Sequence, residues 1–382
     1  MAELLLELYS EEIPPRLQIN ARNQIKLSVE NSLKEKNIKY KDIEIFSSPT
    51  RLTLIIKELP EKIKIASQEI RGPKSGASDT ILEGFAKAKN VSKEDLFEKE
   101  TINGKFYFIK ISAKNILVED LLKDILLKSL SSISWKKSMR WSNYNLMWGR
   151  PLRSILALFN KKRLAFEFDH LIATDTVLVN QDLNTKSKKI KNIKEYFSFL
   201  KSNKIILDQN ERKKIILKRI NSLSKSKDYK ETINPQLLEE VVNIVENPNI
   251  LLVNFNKEYL SIPQEIIIST LEKHQRYFPI FDSRDRLTNY FFVVANKKDE
   301  KKLITTGNKK VVEARLSDAK FFWDKDRSKN LIKQIANLKA IKFYEKLGTI
   351  YDKTQRIRQL AALLSDDLNI NKEKVQIAAS IS

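Results

Sequence analysis

Pro263-Gln264-Glu265-Ile266-Ile267-Ile268-Ser269-Thr270-Leu271-Glu272-Lys273-His274-Gln275-Arg276-Tyr277-Phe278-Pro279 opens the stretch that decides how this chain is read. Tyr290-Phe291-Phe292-Val293-Val294-Ala295-Asn296 follows, and Gly307-Asn308-Lys309-Lys310-Val311-Val312-Glu313-Ala314-Arg315-Leu316-Ser317-Asp318-Ala319-Lys320-Phe321-Phe322-Trp323 closes it. The last run has helical spacing: Val312, Arg315/Leu316, Ala319 and Phe322/Trp323 recur every three to four residues and make one apolar stripe. Gly307-Asn308 predicts the start of that helix, with Asn308 as its cap. Pro263 suits the first turn of an earlier helix, Pro279 helps to end it, and residues 290–296 read as a strand. His274, Gln275, Arg276 and Tyr277 set a titratable ring, an amide, a guanidinium and a phenol side by side at a helix end. That is a polar set suited to an anionic or hydrogen-bonding ligand. Taken singly, each of these residues also fits a core with surface charges.

Working outward, Ala2–Tyr9 reads as a strand with Glu3 and Glu7 among leucines. Pro14-Pro15 forbid a central strand after it, and Glu11-Glu12 read as charge at the start of a helix over Leu17–Lys36. Ile43, Ile45, Leu52, Leu54 and Ile56 alternate around Ser47-Ser48-Pro49-Thr50-Arg51, the pattern of a hairpin over Glu44–Leu59. Arg71–Gly76 reads as a loop that lacks the Gly-Lys-Ser/Thr ending of a phosphate-cradling loop. Helices are expected at 80–89, Val91–Phe97 and 117–131, with a strand at Phe106–Ser112. Two strands are expected within 154–168. Toward the other end, Leu237–Val245 and Leu331–Leu347 read as helices, Gly348 as a stop, and Asp352–Leu364 as a further helix. The fold class is α+β and multi-domain, with small mixed or antiparallel sheets and packed helices, ending in an all-helical segment. The expected divisions are 1–165, an α+β domain; 166–245, basic and mainly helical; 246–326, α+β; and 327–382, the start of a helical domain.

The chain has 382 residues, 42% of them hydrophobic, which supports more than one core. It has no cysteine, so disulfides and thiolate chemistry are excluded. Two histidines, His170 and His274, leave little for a zinc site or a serine triad. No run of 18 apolar residues exists and Met1-Ala2-Glu3 does not open a signal peptide, so a cytoplasmic protein is expected, with no membrane partner.

Charge points toward a polyanion. The formal balance is +22, from 70 lysines and arginines against 48 acids. Half of that surplus lies in residues 186–230, where 15 cations stand against 4 acids, a difference of 11. Two amphipathic helices, near 191–202 and 210–224, carry it and could meet a phosphate backbone through lysine point charges. A compositional shift toward lysine throughout the chain explains the same surplus.

Trp135-Lys136-Lys137-Ser138-Met139-Arg140-Trp141 and Trp148-Gly149-Arg150-Pro151-Leu152-Arg153 are more specific: five cations interleave with three tryptophans in 19 residues. Base stacking on aromatic faces beside phosphate-pairing cations is how single-stranded RNA is held. Tryptophans anchoring a core under a charged rim would give the same pattern. Lys136–Met139 is not read as a nucleotide-binding loop, because no dinucleotide-type fold precedes it.

At His274–Pro279 and Gly307–Trp323 the sequence resembles the beta subunit of bacterial heterotetrameric glycyl-tRNA synthetase. Glu11-Glu12-Ile13-Pro14-Pro15, Thr50-Arg51-Leu52, Lys137-Ser138-Met139-Arg140-Trp141 and Arg150-Pro151-Leu152-Arg153 resemble further signatures of that family, in the same order. The resemblance spans nearly the whole chain and implies its amino-terminal portion. It implies a subunit of glycine–tRNA ligase working in an alpha2beta2 complex, with ATP and Mg2+ used on the alpha subunit and none bound by this chain. The beta chain would grip tRNA(Gly) and support alpha, with no catalytic or metal-ligating residue of its own. The expected RNA contacts are Lys136, Lys137, Arg140, Trp141, Arg150, Arg153, His274, Gln275, Arg276, Tyr277 and Arg315. Relatives carry a Gly-His-Arg-Phe-type motif where Asp175-Thr176-Val177-Leu178-Val179-Asn180-Gln181 stands here, so that motif's role does not carry over. Relatives usually have Glu at Lys309 and a cation at Glu313. The reversed pair, four residues apart, predicts a surface ion pair and not a ligand contact. A stand-alone basic RNA-binding or scaffold protein of the same descent is the alternative.

Overall fold

The computed structural model describes residues 2–381 apart from 66–67, 90, 103, 112–113, 182–183 and 231–232. The architecture is α+β with antiparallel sheets, and the chain divides into two compact units. The first contains residues up to Ser222, Ile233–Ile250 and Val294–Lys298; the second contains Leu223–Thr232, Leu251–Val293 and the residues from Asp299 onward.

The first unit is built on a five-stranded sheet in the order Lys162–Arg163, Leu152–Phe159, Ala2–Ser10, Arg51–Leu59 and Asp42–Ser48. Its central strand pairs antiparallel on both sides, Leu6 lying opposite Leu54 and Ala157. Successive side chains of a strand point to opposite faces, so a strand covered on both faces reads as almost continuously apolar. Leu4, Leu6 and Leu8 join one core with Ile25 and Val29 of the helix Pro15–Glu35 and Leu122 and Leu126 of the helix Val118–Ser131. Leu5 faces the other core, with Val177, Val179, Tyr196 and Leu200. A three-stranded sheet, Gln68–Lys74, Gly104–Ile111 and Leu96–Thr101, lies beside the helix Asp79–Ala88 in the same unit.

The second unit carries a four-stranded sheet in the order Tyr229–Lys230, Phe278–Asp282, Leu287–Ala295 and Asn249–Asn254. The helix Leu303–Arg327 packs on it through Val312 and Leu316, which meet Leu271, Tyr277, Phe291 and Val293. Farther on, Thr349 and Asp352 form a reciprocal capping box at the start of the helix Ile350–Asp367.

Most expected elements are found, and the departures have local causes. The stripe helix begins at Leu303, not at Asn308: Asp299 accepts the N–H groups of Ile304 at 2.9 Å and Thr305 at 2.7 Å, which supplies the cap. Gly307-Asn308 therefore lies inside the helix. Phe322 is exposed, so the stripe ends on Trp323 alone. Pro279 does not end a helix; it pairs with Phe291 within a strand. Arg71–Lys74 continues a strand, with an irregular register that accommodates Gly72-Pro73. Val91–Phe97 forms only the short turn Lys93–Asp95 before a strand. Residues 331–347 break into Leu331–Gln334, the tighter turn Ile335–Ala340 and the small hairpin Lys342–Tyr344 with Gly348–Thr349. The reversal uses two left-handed residues, Lys346 at φ +65 and Gly348 at φ +81, the latter freely allowed for glycine.

Candidate nucleic-acid interface

The tryptophan-rich segment follows the helix Val118–Ser131 and is pinned at both ends. Gln24 holds the backbone of Ser134 by two hydrogen bonds, at 2.8 and 3.1 Å. Met139 and Trp148 then exchange backbone hydrogen bonds of 2.9 and 3.2 Å, closing 139–148 into a loop. Trp148 is 2% exposed, with its ring 5.0 Å from Trp135 and 5.7 Å from Phe168. Gly149 lies under Trp135 so closely that a Cβ there would fall 2.5 Å from the indole. Trp135 and Trp148 are thus anchors, and the loop between them projects from a fixed base.

Trp141 is half-buried against the first core, and its ring meets His170 edge-on at 5.6 Å. Tyr144 stacks on His170 face to face, with centroids 3.5 Å apart and planes 7° from parallel. Asp169, in the left-handed region at φ +53, accepts from His170 Nδ1 at 2.9 Å. The hydrogen bond from His170, joined by one from the backbone N–H of Leu146, holds the Asp169 carboxyl below its ordinary value. A single carboxylate therefore ties the loop to the imidazole.

The cations of this segment separate into two kinds. Lys136, Lys137 and Arg140 are exposed, and among the described residues none of the three forms an ion pair. Arg150 folds back to donate to the carbonyl of Gly149 at 3.0 Å. Arg153 is paired with Glu11 at 2.5 Å.

The second group of candidates lies in the other unit. The helix Gln264–Ser269 continues as a wider turn, Thr270–His274, which leaves His274 exposed and Gln275 half-exposed. Arg276 takes φ +61 and turns its guanidinium onto the carbonyls of Lys273 and Glu272. Those are the last carbonyls of the helix, which a cation satisfies well. Tyr277 is buried, its ring stacked 5.2 Å from Phe291 and its hydroxyl bonded to Asn308 Oδ1. Asn308 also donates to the carbonyl of Ile304 at 2.7 Å, so it is a cross-link and not a cap. Arg315 is exposed on the helix Leu303–Arg327. Lys309 and Glu313 form the expected surface pair, at 3.8 Å.

The glycyl-tRNA synthetase beta subunit family profile matches residues 4–382. This chain belongs to that family. It is 34% identical over 379 residues to the glycine–tRNA ligase beta subunit of Rickettsia canadensis, covering 99% of this chain and 56% of the relative. It is 35% identical over 381 residues to that of Rickettsia bellii, covering 99% and 57%. It is 34% identical over 380 residues to that of Clostridioides difficile, covering 97% and 55%. The chain therefore spans a little over half the length of the curated relatives it matches.

One stretch that resembles a signature of this beta subunit family does structural work. In Thr50-Arg51-Leu52, Arg51 is 1% exposed, with Nε 3.1 Å from Glu7 Oε2. Its other nitrogens reach Thr50 Oγ1 at 2.7 Å and the carbonyl of Leu178. Tyr196 donates to the same Glu7 oxygen at 2.5 Å. Burial pushes the Glu7 carboxyl up from its ordinary value, against the downward pull of the Arg51 charge. In the sequence Glu7 is only an acid among leucines; its partner is hidden 44 positions further on.

The basic stretch 186–230 is likewise only partly available to a ligand. Arg212 is fully buried and donates to the carbonyls of Val242, Ile206, Leu207 and Ser47 at 2.7–3.0 Å. Burial lowers its pKa to about 10. Two site residues escape sequence reasoning altogether. Tyr144 stands three residues after Trp141, where it could be counted as a fourth ring of the segment. His170 carries no such signal, since only the fold brings it there. Among the described residues no group of His, Cys, Asp and Glu suited to a metal ion occurs, and no helix is long and apolar enough to cross a membrane.

Proposed function

We propose that this chain acts as the beta subunit of a glycine–tRNA ligase in the cytoplasm. It would grip tRNA(Gly) and support a catalytic alpha subunit in an alpha2beta2 complex, where ATP and Mg2+ are used on alpha to activate glycine. Family membership across residues 4–382 carries this reading. The tRNA contact is supported by Lys136, Lys137 and Arg140, exposed without an ion pair among the described residues on a loop whose base is fixed by two packed tryptophans. Ammonium and guanidinium groups left without protein partners are free to displace counterions from phosphate. His274, Gln275 and Arg315 are candidate contacts of their own on the second unit. Arg150, Arg153, Arg276 and Tyr277 support the shape of the two surfaces, since each is engaged within the protein.

The test is co-expression with an alpha subunit. A stable complex that charges glycine onto tRNA only when this chain is present is the expected result. Glycine activation by the isolated chain, or charging by alpha that is indifferent to it, overturns the reading. Binding of RNA without any association with alpha would favour the stand-alone RNA-binding alternative.

A further inference from the structure

We propose that the outer face of Tyr144 is a stacking platform for an unpaired nucleobase, extending the His170–Tyr144 column by one ring. This rests on the reading of the 136–153 segment as an RNA contact and assigns it a specific ligand: a single-stranded ribonucleotide, gripped by its base as well as its phosphate.

The observation is an aromatic column built and then left open at one end. His170 is covered on one face by Tyr144 and met edge-on by Trp141. Asp169 holds the imidazole through its Nδ1 at 2.9 Å. Tyr144 nevertheless stays 41% exposed. One face of the phenol lies on the imidazole and the Trp141 ring meets it edge-on at 6.5 Å, so the exposure falls on what these two rings leave. A core tyrosine normally buries its ring and leaves its hydroxyl wet. Here the ring is held flat on the imidazole while the residue as a whole stays exposed.

Every nucleobase has a π-face, so such a platform is tolerant of sequence but needs the base to be unstacked from its neighbours. Arg140 precedes Trp141 in the same loop, and Lys136 and Lys137 lie just before it. Cations next to an aromatic platform are what a single strand requires, since its phosphates follow its bases. A base-paired stem offers no free face to Tyr144.

The test measures fluorescence anisotropy of a labelled, mixed-sequence single-stranded oligoribonucleotide and of the same strand with abasic riboses, titrated with the full chain. The unaltered chain should bind the base-bearing strand more tightly. Tyr144→Ala should lower that affinity roughly 10-fold, within the range expected for losing one stacked base, and leave the abasic strand's affinity unchanged. Tyr144→Trp should restore binding. Equal affinity of the unaltered chain for both strands overturns the proposal, and this comparison needs no variant. So does an equal loss of both strands in Tyr144→Ala, which would mark a collapsed loop. If Lys136→Ala/Lys137→Ala/Arg140→Ala weakens binding and Tyr144→Ala does not, the RNA contact survives and the platform falls. If the unaltered chain binds neither strand nor tRNA, both fall together.

Discussion

Arg51 Nε lies 3.1 Å from Glu7 Oε2, with both side chains 1% exposed at the centre of the first unit's sheet. Removing one partner of a buried pair leaves the other charged and dry, which typically costs about 3–5 kcal/mol. Arg51→Met should lower stability by that order in urea or thermal unfolding. Glu7→Gln should also be costly, since the guanidinium it leaves stays charged and keeps, among the described residues, only the Glu246 carboxylate, at 3.6 Å. Wild-type stability in Arg51→Met would mean that the buried pair contributes nothing to the fold.

Lys136→Ala/Lys137→Ala/Arg140→Ala should weaken tRNA binding and flatten its salt dependence, by about 0.7 in log–log slope for each single-strand phosphate no longer neutralised. The melting temperature should stay nearly constant, because exposed side chains without ion pairs carry little stability. A large drop in melting temperature would instead assign these cations to packing.

Arg276→Ala should behave differently. Its guanidinium closes the helix ending at His274, and its backbone stands at φ +61. The expected result is a stability loss of about 1 kcal/mol, with Arg276→Gly costing less than Arg276→Ala because glycine accepts that backbone freely. The two variants' melting curves decide the order.

Gly149→Ala should be destabilising by about 1–3 kcal/mol, the usual penalty for overfilling a packed site. The added Cβ would meet Trp135 at 2.5 Å. The displaced indole should report itself in the tryptophan emission spectrum.

Glu98 offers a test by pH. Hydrogen bonds from Lys105, and then from Ser75 and Tyr107, lower its carboxyl to about 2. An acid with a depressed folded pKa stabilises the fold above its unfolded value, about 4.3. That contribution disappears as pH falls through about 2. Carboxyl NMR of Glu98 should show a midpoint well below that of an unpaired glutamate, and Lys105→Ala should move it upward.

The strands, most helices and the signature stretches are legible in the sequence because local spacing dictates them. The central strand shows its two buried faces in consecutive leucines, Leu4-Leu5-Leu6, and Val312 and Leu316 announce their face by period alone. What is not legible depends on distant partners. Tyr277 reads as a ligand-binding phenol, yet Asn308, a turn inside the next long helix, takes its hydroxyl. Arg153 reads as a free cation, yet the fold sets Glu11 beside it. Arg212 counts toward the basic surface while lying sealed among carbonyls. Residues 331–347 carry apolar spacing suited to a helix, yet Gly348 and the Thr349–Asp352 cap set a new start just beyond, and the preceding chain turns back as a hairpin.

The sheet's middle strand has no slack. Glu7 shares a face with Leu5, and Leu4, Leu6 and Leu8 share the opposite one. Deleting a single residue between them would carry the acid into the opposite core and leave Arg51 facing a leucine. Anyone grafting a tag, linker or fusion partner onto this polypeptide should keep that strand's phase untouched, since its parity of residues, more than its composition, decides whether the unit can close.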